Sequence, residues 1–257
     1  IMGNEEYKSK YRPLLPNCNT IIYNDVESLK TITKKTAAVV IEPIQGATGF
    51  ITPKNNFLQL VRKKCIETGA LLIFDEIPSA LGRTGKMFVC EHFDVEPDML
   101  VIGKGLGGGV FPMAALITNE NLDIVEDKAL GHYTHEKSSV GCAAALATID
   151  CLIEDGLLNN AVTLGKSGLE QLEALKLKHP IIHEVRGLGL FYGIDLKLNN
   201  QPASDQADAI LYHSLSNGLS YKVGGGSILT LCPPLTINND KLTQAFNIIE
   251  NGINSLS

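Results

Sequence analysis

Short apolar runs alternate with amphipathic stretches along the first half of the chain. Residues 37–41, 71–74 and 99–102 are continuous apolar runs, which is the pattern of parallel strands that are covered on both faces. Residues 53–67, between the first two runs, carry apolar side chains at helical spacing and are followed by Gly69 as a helix stop. A strand, a helix and a strand in this order predict a right-handed βαβ unit in a mostly parallel sheet.

The second half of the chain has a different pattern. Residues 113–117 predict a further strand, and the short turn before them favours antiparallel pairing. Two helices are predicted next, over residues 142–153 and 157–178, and Pro180 ends the second. After residue 181 the pattern predicts short strands and one helix: strands from residue 185, over 190–196 and over 228–231, and a helix over 205–217.

These elements predict an α/β protein built in three parts. Residues 1–36 are polar and irregular. Residues 37–160 are predicted to form part of a large domain with a mostly parallel sheet. Residues 161–257 are predicted to form a smaller α+β C-terminal domain, with the boundary near the long helix.

Composition narrows the classes of function. The chain has 257 residues, 44% of them hydrophobic, and a net charge of −6 with dispersed signs, so a globular protein without a nucleic-acid partner is expected. Since no run approaches the ~18 apolar residues of a membrane span and no signal-peptide pattern is present, no membrane contact is expected. The six cysteines form no regular framework, which predicts reduced thiols in the cytoplasm.

Two charged residues follow neighbouring strands of the predicted sheet. Asp75 follows residues 71–74, and Lys104 follows residues 99–102. Because open α/β sheets bind ligands at the carboxyl ends of their strands, both side chains are expected at one place. A buried lysine there would be a candidate for a covalent bond to an aldehyde. A surface lysine and a helix-capping acid would leave the same sequence pattern, but a lysine paired with an acid is the set that pyridoxal phosphate requires.

Six short motifs surround these residues, in order, between about Ala37 and the C-terminus. They are EPIQG at 42–46, DEI at 75–77, LGRTGK at 81–86, GKG at 103–105, VRGLGL at 185–190 and PPL at 233–235. Their sequences and spacing resemble the class III pyridoxal-phosphate aminotransferases, the type that includes ω-amino acid, ornithine and 4-aminobutyrate aminotransferases. The resemblance implies a fold-type-I transferase with pyridoxal 5'-phosphate as cofactor.

The resemblance also implies roles for single residues. Lys104 matches the lysine that binds the cofactor and moves the substrate proton, and Asp75 matches the acid that pairs with the pyridine nitrogen. Ile77 matches the residue that packs on the cofactor ring. Thr134 matches a threonine that reaches the phosphate of the partner subunit's cofactor. A homodimer with shared active sites, acting on a small-molecule amine and a keto acid, is therefore expected.

Three positions depart from the family pattern. Pro78 stands where the family usually has a glutamine that contacts the cofactor, and proline has no donor. Thr230 stands where an arginine commonly grips a substrate carboxylate, which leaves Glu42 without its expected ion pair. Residues 137–139 are Lys-Ser-Ser where the family usually has Gly-Asn-Pro.

The substrate and the reaction are open at this level. An acidic substrate would be held by other residues, such as Lys137 or Arg186, and Glu42 is a further candidate for substrate binding. Besides an aminotransferase, the sequence allows a lyase on a small amine with a β-leaving group, such as an amino alcohol phosphate or a hydroxyaminophosphonate. An amino acid epimerase is less favoured. A cofactor-binding regulator without turnover would share the same lysine site.

Two further expectations concern what the chain lacks. The family's phosphate-binding turn precedes the residues that match Ala37, and residues 1–36 do not resemble it. The chain is therefore expected to be the C-terminal part of a longer enzyme and to bind cofactor poorly alone. His132, His135 and Cys142 do not have the spacing of a zinc site, so no metal site is expected.

Overall fold

The structure is a computed structural model that describes residues 3–125 and 138–256. A short helix α1 (Glu5–Lys8) and two 3-10 turns (Ser9–Tyr11 and Glu27–Thr31) lie in the N-terminal segment. Among residues 3–36 the rest of the segment has no regular structure, as its polar composition predicts.

The first sheet has the predicted parallel core. Its strands are β1 (Ala38–Ile41), β2 (Leu71–Asp75), β3 (Met99–Ile102) and β4 (Ala115–Thr118), in that spatial order. β1, β2 and β3 are parallel, whereas β4 is antiparallel to β3. The antiparallel pairing inferred from the short turn is therefore confirmed.

Helix α2 (Phe57–Thr68) connects β1 to β2 and begins four residues later than predicted. The delay has a backbone cause, because Asn55 and Asn56 have positive φ angles of 52° and 57°, which a right-handed helix does not allow. Gly69 ends the helix with a φ of 77°, and its N–H donates to the carbonyl of Cys65, as predicted for a helix stop. The buried face of α2 carries Phe57, Leu58, Val61 and Cys65.

The next helices are α3 (Cys90–Phe93), α4 (Ser139–Glu154) and α5 (Leu157–Lys178). The bounds of α5 agree with the prediction. Ser138 caps α4 by accepting a hydrogen bond from the N–H of Gly141 at 3.4 Å.

The second sheet is antiparallel and belongs to the C-terminal part of the chain. The elements are β5 (Ile182–Leu188), β6 (Phe191–Leu198), β7 (Gln201–Pro202), α6 (Ser204–Ser216), β8 (Lys222–Gly224), β9 (Ile228–Leu231) and α7 (Asn239–Asn254). The strand order is β5-β6-β9-β8, with β7 paired to β6. The prediction of a single helix after residue 181 is wrong. Helix α7 has the missed pattern, since Leu242, Phe246, Ile249 and Ile253 lie at helical spacing and are buried.

Apolar side chains form two large clusters and one small cluster. One large cluster surrounds the first sheet, and the other fills the space between the second sheet and helices α5, α6 and α7. The small cluster joins the two sheets and consists of Ile44, Phe50, Val89 and Phe191, with the rings of Phe50 and Phe191 stacked at 4.2 Å. The assignment of residues 37–160 and 161–257 to separate domains stays a prediction.

Membrane contact can be tested on the helices. Among the described residues, no helix combines the length and the apolar character needed to span a bilayer.

Candidate active site

Three charged residues lie at the carboxyl edge of the first sheet. Glu42 follows β1, Asp75 ends β2 and Lys104 lies two residues beyond β3. The register pairs Ile41 with Phe74 and Asp75 with Val101, so the three strand ends are adjacent. The sequence prediction that Asp75 and Lys104 come to one edge of the sheet agrees with this register.

The charges of Asp75 and Lys104 both affect the pKa of Glu42. Burial raises the pKa of Glu42, the hydrogen bond from Gly46 lowers it, the charge of Asp75 raises it, and the charge of Lys104 lowers it. Because one carboxyl group is affected by both partners, Glu42, Asp75 and Lys104 form one electrostatic group.

Lys104 is exposed in the described chain, which is one of the two environments that its sequence pattern allows. The chain leaves β3 through Gly103 and enters a 3-10 turn at Lys104. Its φ of 45° lies in the left-handed region, which is unfavourable for a residue with a side chain. Strain of this kind is concentrated at functional sites, so the backbone supports a functional position.

Asp75 and Ile77 border the same strand end. A carboxylate oxygen of Asp75 accepts a hydrogen bond from the N–H of Ile77 at 3.1 Å, which holds the start of the following loop. A Cβ added to Gly103 would lie 3.5 Å from Cγ2 of Ile77 and 3.4 Å from Cβ of Ala114. Ile77 therefore provides an apolar surface directly beside the residue that precedes Lys104.

Glu42 is held by backbone and bordered by proline. Its Oε2 accepts a hydrogen bond from the N–H of Gly46 at 2.8 Å. Oε2 of Glu42 and Cγ of Pro78 each lie 3.4 Å from the position of a Cβ added to Gly46. Pro78 thus places apolar surface beside this carboxyl group. Within residues 3–125 and 138–256, Glu42 makes no ion pair, and the expected loss of its arginine partner stays a prediction.

One face of the second sheet contacts the loop that follows Glu42, at the carboxyl edge of the first sheet. The carbonyl oxygen of Gly49 lies 2.6 Å from the position of a Cβ added to Gly193, and that of Ala47 lies 2.9 Å from one added to Gly224. The loop that follows Glu42 therefore packs directly on β6 and β8. Glycine is required at Gly193 and Gly224 because a side chain there would displace this loop.

Thr230 and Arg186 lie on the same face of the second sheet. Thr230 pairs with Gly193, which pairs with Arg186. Arg186 donates from Nη1 to Glu184 at 3.0 Å, while its buried Nε and Nη2 have no partner among the described residues. The role of Arg186 in substrate binding stays a prediction.

Other predicted site residues cannot be placed. Thr134, Lys137, His132 and His135 lie outside the described residues, so their roles stay predictions. No group of three or more potential metal ligands occurs in the part of the chain that the structure describes.

Sequence reasoning gave no role to Arg83 and Glu76. Arg83 donates from Nη1 to the carbonyl of Pro233 and so connects the two sheets. Glu76 is fully buried, and its carboxylate accepts the N–H groups of Val89 at 2.6 Å and Cys90 at 2.9 Å. Burial raises the pKa of Glu76 to about 7, although the two backbone donors oppose the rise. A fully buried acid immediately after a strand has no distinguishing mark in the sequence.

Comparison of this chain with known proteins, in sequence and in structure, identifies its relatives. Residues 3–253 match the family described as aminotransferase class-III. The chain is 39% identical over 219 residues to the (R)-1-hydroxy-2-aminoethylphosphonate ammonia-lyase of Vibrio splendidus (strain 12B01), covering 84% of this chain and 46% of the relative. It is 38% identical over 251 residues to the ornithine aminotransferase of Geobacillus sp. (strain WCH70), covering 97% of this chain and 61% of the relative.

A solved structure gives the same result for the fold. The ornithine aminotransferase of Toxoplasma gondii has a TM-score of 0.90 and 28% sequence identity to this chain, and the match covers 98% of this chain and 59% of that chain. That structure was crystallised in the presence of oxidised glutathione and is described with partial occupancy of PLP at its active site. The predicted α/β, fold-type-I architecture is thereby confirmed. The chain spans about half to three fifths of the length of the curated relatives it matches. Its sequence match and its fold together show that it belongs to the class III aminotransferase family.

Proposed function

We propose that the protein is a pyridoxal-phosphate-dependent aminotransferase that moves an amino group from a small amine or ω-amino acid to a keto acid. The observation that carries the proposal is the placement of Lys104 and Asp75 at the carboxyl ends of the adjacent parallel strands β3 and β2. Open α/β sheets bind ligands at such edges. The ornithine aminotransferases among the relatives support transfer as the reaction.

The residues at this edge fit pyridoxal phosphate. An aldehyde cofactor requires an accessible amine, and Lys104 is exposed and flanked by Gly103 and Gly105. A protonated pyridine nitrogen requires an acceptor, for which Asp75 is available on the neighbouring strand. Ile77 offers an apolar surface for the ring. When bound, the cofactor supplies an electron sink for a carbanion at the substrate carbon.

Each residue then has a chemical task. Lys104 holds the cofactor and, when released, accepts and returns a proton at Nζ. Asp75 holds a proton at the pyridine nitrogen through its carboxylate, where the charge of the acid stabilises the protonated ring. Glu42 has a raised pKa and lies near both groups, so its protonation state affects the charge of the site.

A lyase is the second candidate because of Thr230. Its hydroxyl donates to the carbonyl of Lys222 at 2.8 Å, so this position does not present the bidentate group with which an arginine holds a carboxylate. The ammonia-lyase of Vibrio splendidus is a relative at 39% identity. An amine with a β-leaving group would be the substrate in this case.

A half-reaction separates the two candidates. Full-length protein loaded with pyridoxal phosphate is mixed with an amine and no keto acid. An aminotransferase converts the cofactor to its pyridoxamine form in one turnover, whereas a lyase releases ammonia and keeps the aldehyde form. Absence of both products over a broad panel of amines would contradict both candidates and favour a regulator.

The role of Lys104 is tested separately by borohydride reduction and mass spectrometry. We expect the cofactor mass on Lys104, and we expect a Lys104→Arg variant to lose at least about a thousandfold in turnover. The matched control is Lys176→Arg on the outer face of α5, where Lys176 pairs with Glu173 at 4.0 Å. Cofactor attached to another lysine would contradict the assignment.

We also propose a homodimer in the cytoplasm. The matching threonine, Thr134, implies a cofactor site shared between subunits. The six cysteines are all free, which supports a reducing compartment. A monomeric mass for the full-length protein in solution would contradict the dimer.

A further inference from the structure

A row of paired residues crosses the second sheet beside the candidate active site. Arg186 pairs with Gly193, Gly193 with Thr230, and Thr230 with Lys222. Directly paired residues in a sheet point to the same face. The side chains of Arg186, Thr230 and Lys222 therefore lie in one line on one face of the sheet.

This face is the one that meets the first sheet. Tyr192 and Leu231, which are the sequence neighbours of Gly193 and Thr230, belong to the opposite face and are buried in the C-terminal cluster. On the near face, a Cβ added to Gly224 would lie 2.9 Å from the carbonyl oxygen of Ala47 and 3.2 Å from Cγ2 of Thr230. The row thus lies against the loop that leads from Glu42.

Lys222 and the candidate cofactor lysine, Lys104, both affect the pKa of Cys232. Cys232 lies two residues beyond Thr230, directly after the end of β9. Burial raises the pKa of Cys232, and three nearby cations lower it: Arg83, Lys104 and Lys222. Lys104 and Lys222 are therefore both among the positive charges that act on this thiol.

Lys222 differs from the two arginines nearby in having no acidic or carbonyl partner. Arg186 is paired with Glu184, and Arg83 donates to Pro233. Throughout residues 3–125 and 138–256, no carboxylate forms an ion pair with Lys222, and its side chain is exposed. An exposed ammonium group without a counter-ion, beside a binding edge, attracts an anion.

Thr230 leaves room for such an anion. Its side chain is short, and its hydroxyl is already used by the carbonyl of Lys222. The long side chain of Lys222 starts from the neighbouring strand at the same level. An ammonium group on a flexible stem can reach an oxyanion that is held in front of Thr230.

We propose that Lys222 binds the acidic group of the amine substrate, a carboxylate or a phosphonate, from the second sheet. This inference rests on the proposed function, because the amine end of the substrate is assigned to the edge that carries Lys104. The protein then selects amines that carry an oxyanion at a distance from the amino group. Discrimination is by charge, since lysine lacks the planar fork that fits a carboxylate.

The first test measures binding without turnover. Full-length protein is titrated by calorimetry with butanoate and, separately, with ethylphosphonate, neither of which carries an amino group. A hydrogen-bonded charge contributes enough that we expect Lys222→Met to weaken binding by roughly tenfold or more. Lys222→Arg keeps the charge and is expected to retain most of the affinity. A stronger effect with one of the two anions identifies the acidic group.

The second test measures kinetics with loaded full-length enzyme. For 4-aminobutyrate and 2-aminoethylphosphonate, Lys222→Met should raise KM by roughly tenfold and leave kcat nearly unchanged, because binding of a remote anion is equal in the ground state and the transition state. For 1,4-diaminobutane, which has no acidic group, KM should not rise. Lys176→Met on α5 is the matched control and should change neither value.

The outcomes separate the inference from the proposed function. Equal affinity of Lys222→Met and unmodified protein for both anions, or an equal change in KM for the diamine, would overturn the role of Lys222. If no amine reacts but the Lys222→Met variant loses anion binding, the proposed function fails and the anion site stands.

Discussion

Strand β6 of the second sheet buries Tyr192, Ile194 and Leu196 completely, whereas the strands of the first sheet end in Glu42, Asp75 and, beyond Gly103, Lys104. The second sheet is covered by three helices that close a cluster of its own. The first sheet carries its charges at one edge. Both regions thus have a buried apolar core, and the groups that can do chemistry lie at one edge of the first region.

The backbone shows the same division. In the first region, Phe50, Leu81 and Lys104 have positive φ angles of 58°, 59° and 45°, although each carries a large side chain. After residue 160, the described non-glycine residues with positive φ are Asn199 and Asn200, which form the two-residue turn between β6 and β7. Asparagine suits that turn. The first region therefore stores strain near the candidate site, which the packing of both regions has to offset.

A core substitution in the second region has the largest expected effect on stability. Leu172 is fully buried, so Leu172→Ala should lower the free energy of unfolding by about 3–5 kcal/mol through lost burial and a residual cavity. Leu116 on β4 is 57% exposed, so Leu116→Ala should cost less than about 0.5 kcal/mol. Urea unfolding measures both, and similar losses would show that the burial of Leu172 in the C-terminal cluster does not stabilise the protein.

A substitution at the junction of the two regions should lower the free energy of unfolding nearly as much. Gly189 has a φ of 57°, and an added Cβ would lie 2.5 Å from the carbonyl carbon of Thr84. Gly189→Ala should therefore cost roughly 3 kcal/mol or more, because backbone has to move. Gly156 has a φ of 65° and no atom within 4 Å of that position. Gly156→Ala is the matched control and should cost about 1–2 kcal/mol in the same unfolding measurement.

Equal losses at Gly189 and Gly156 would show that the backbone angle alone matters. The close packing of the first region on the second would then contribute little to stability.

The buried acid of the first region predicts a dependence of stability on pH. The pKa of Glu76 is raised by burial from 4.5 to about 7, so the folded protein binds this proton more tightly than the unfolded chain. Its contribution is present at low pH and is lost as the pH rises through about 7. Between about pH 5 and about pH 8 the free energy of unfolding should fall by up to roughly 3 kcal/mol from this group.

The measurement is urea unfolding across that pH range. The Glu76→Gln variant, whatever its absolute stability, should lack this part of the slope, and the residual slope would include Glu42, whose pKa is also raised. The exposed Glu67→Gln is the control and should keep the full slope. A Glu76→Gln variant with an unchanged slope would show that the buried carboxyl does not titrate as proposed.

Removal of one buried polar group in the second region should lower the free energy of unfolding by less. Tyr192 donates its hydroxyl to the carbonyl of Leu164 at 2.9 Å inside the C-terminal cluster. Tyr192→Phe should cost about 1–2 kcal/mol, since one buried hydrogen bond is lost and the ring remains. Tyr212→Phe, at a residue that is 66% exposed, should change stability by less than about 0.5 kcal/mol. A larger loss at Tyr212 would show that burial does not set the effect.

Much of the first region could be predicted because its signals are local. An apolar run of four or five residues defines each parallel strand, and Gly69 and Pro180 mark helix ends. The same local signals predict that Asp75 and Lys104 lie at one sheet edge, because each follows an apolar run in the sequence. The start of α2 was missed because two left-handed asparagines delay it.

Other features of the site depend on distant partners. Arg83 and Pro233 are 150 residues apart in sequence, and nothing near either residue indicates the other. Lys104 is exposed although it follows a buried strand, and Glu76 is buried because the loop that carries Val89 and Cys90 packs around it. Sequence spacing carries no information on either environment.

The sequence by itself determined the family, the strands of the first sheet and the two charged residues, Asp75 and Lys104, at the carboxyl ends of β2 and β3. Only the tertiary structure decided that Lys222 stands beside Thr230 and faces the loop after Glu42. The physical reason is that a strand's apolar pattern depends on its own residues, whereas its register and the side it presents depend on the surfaces packed against it.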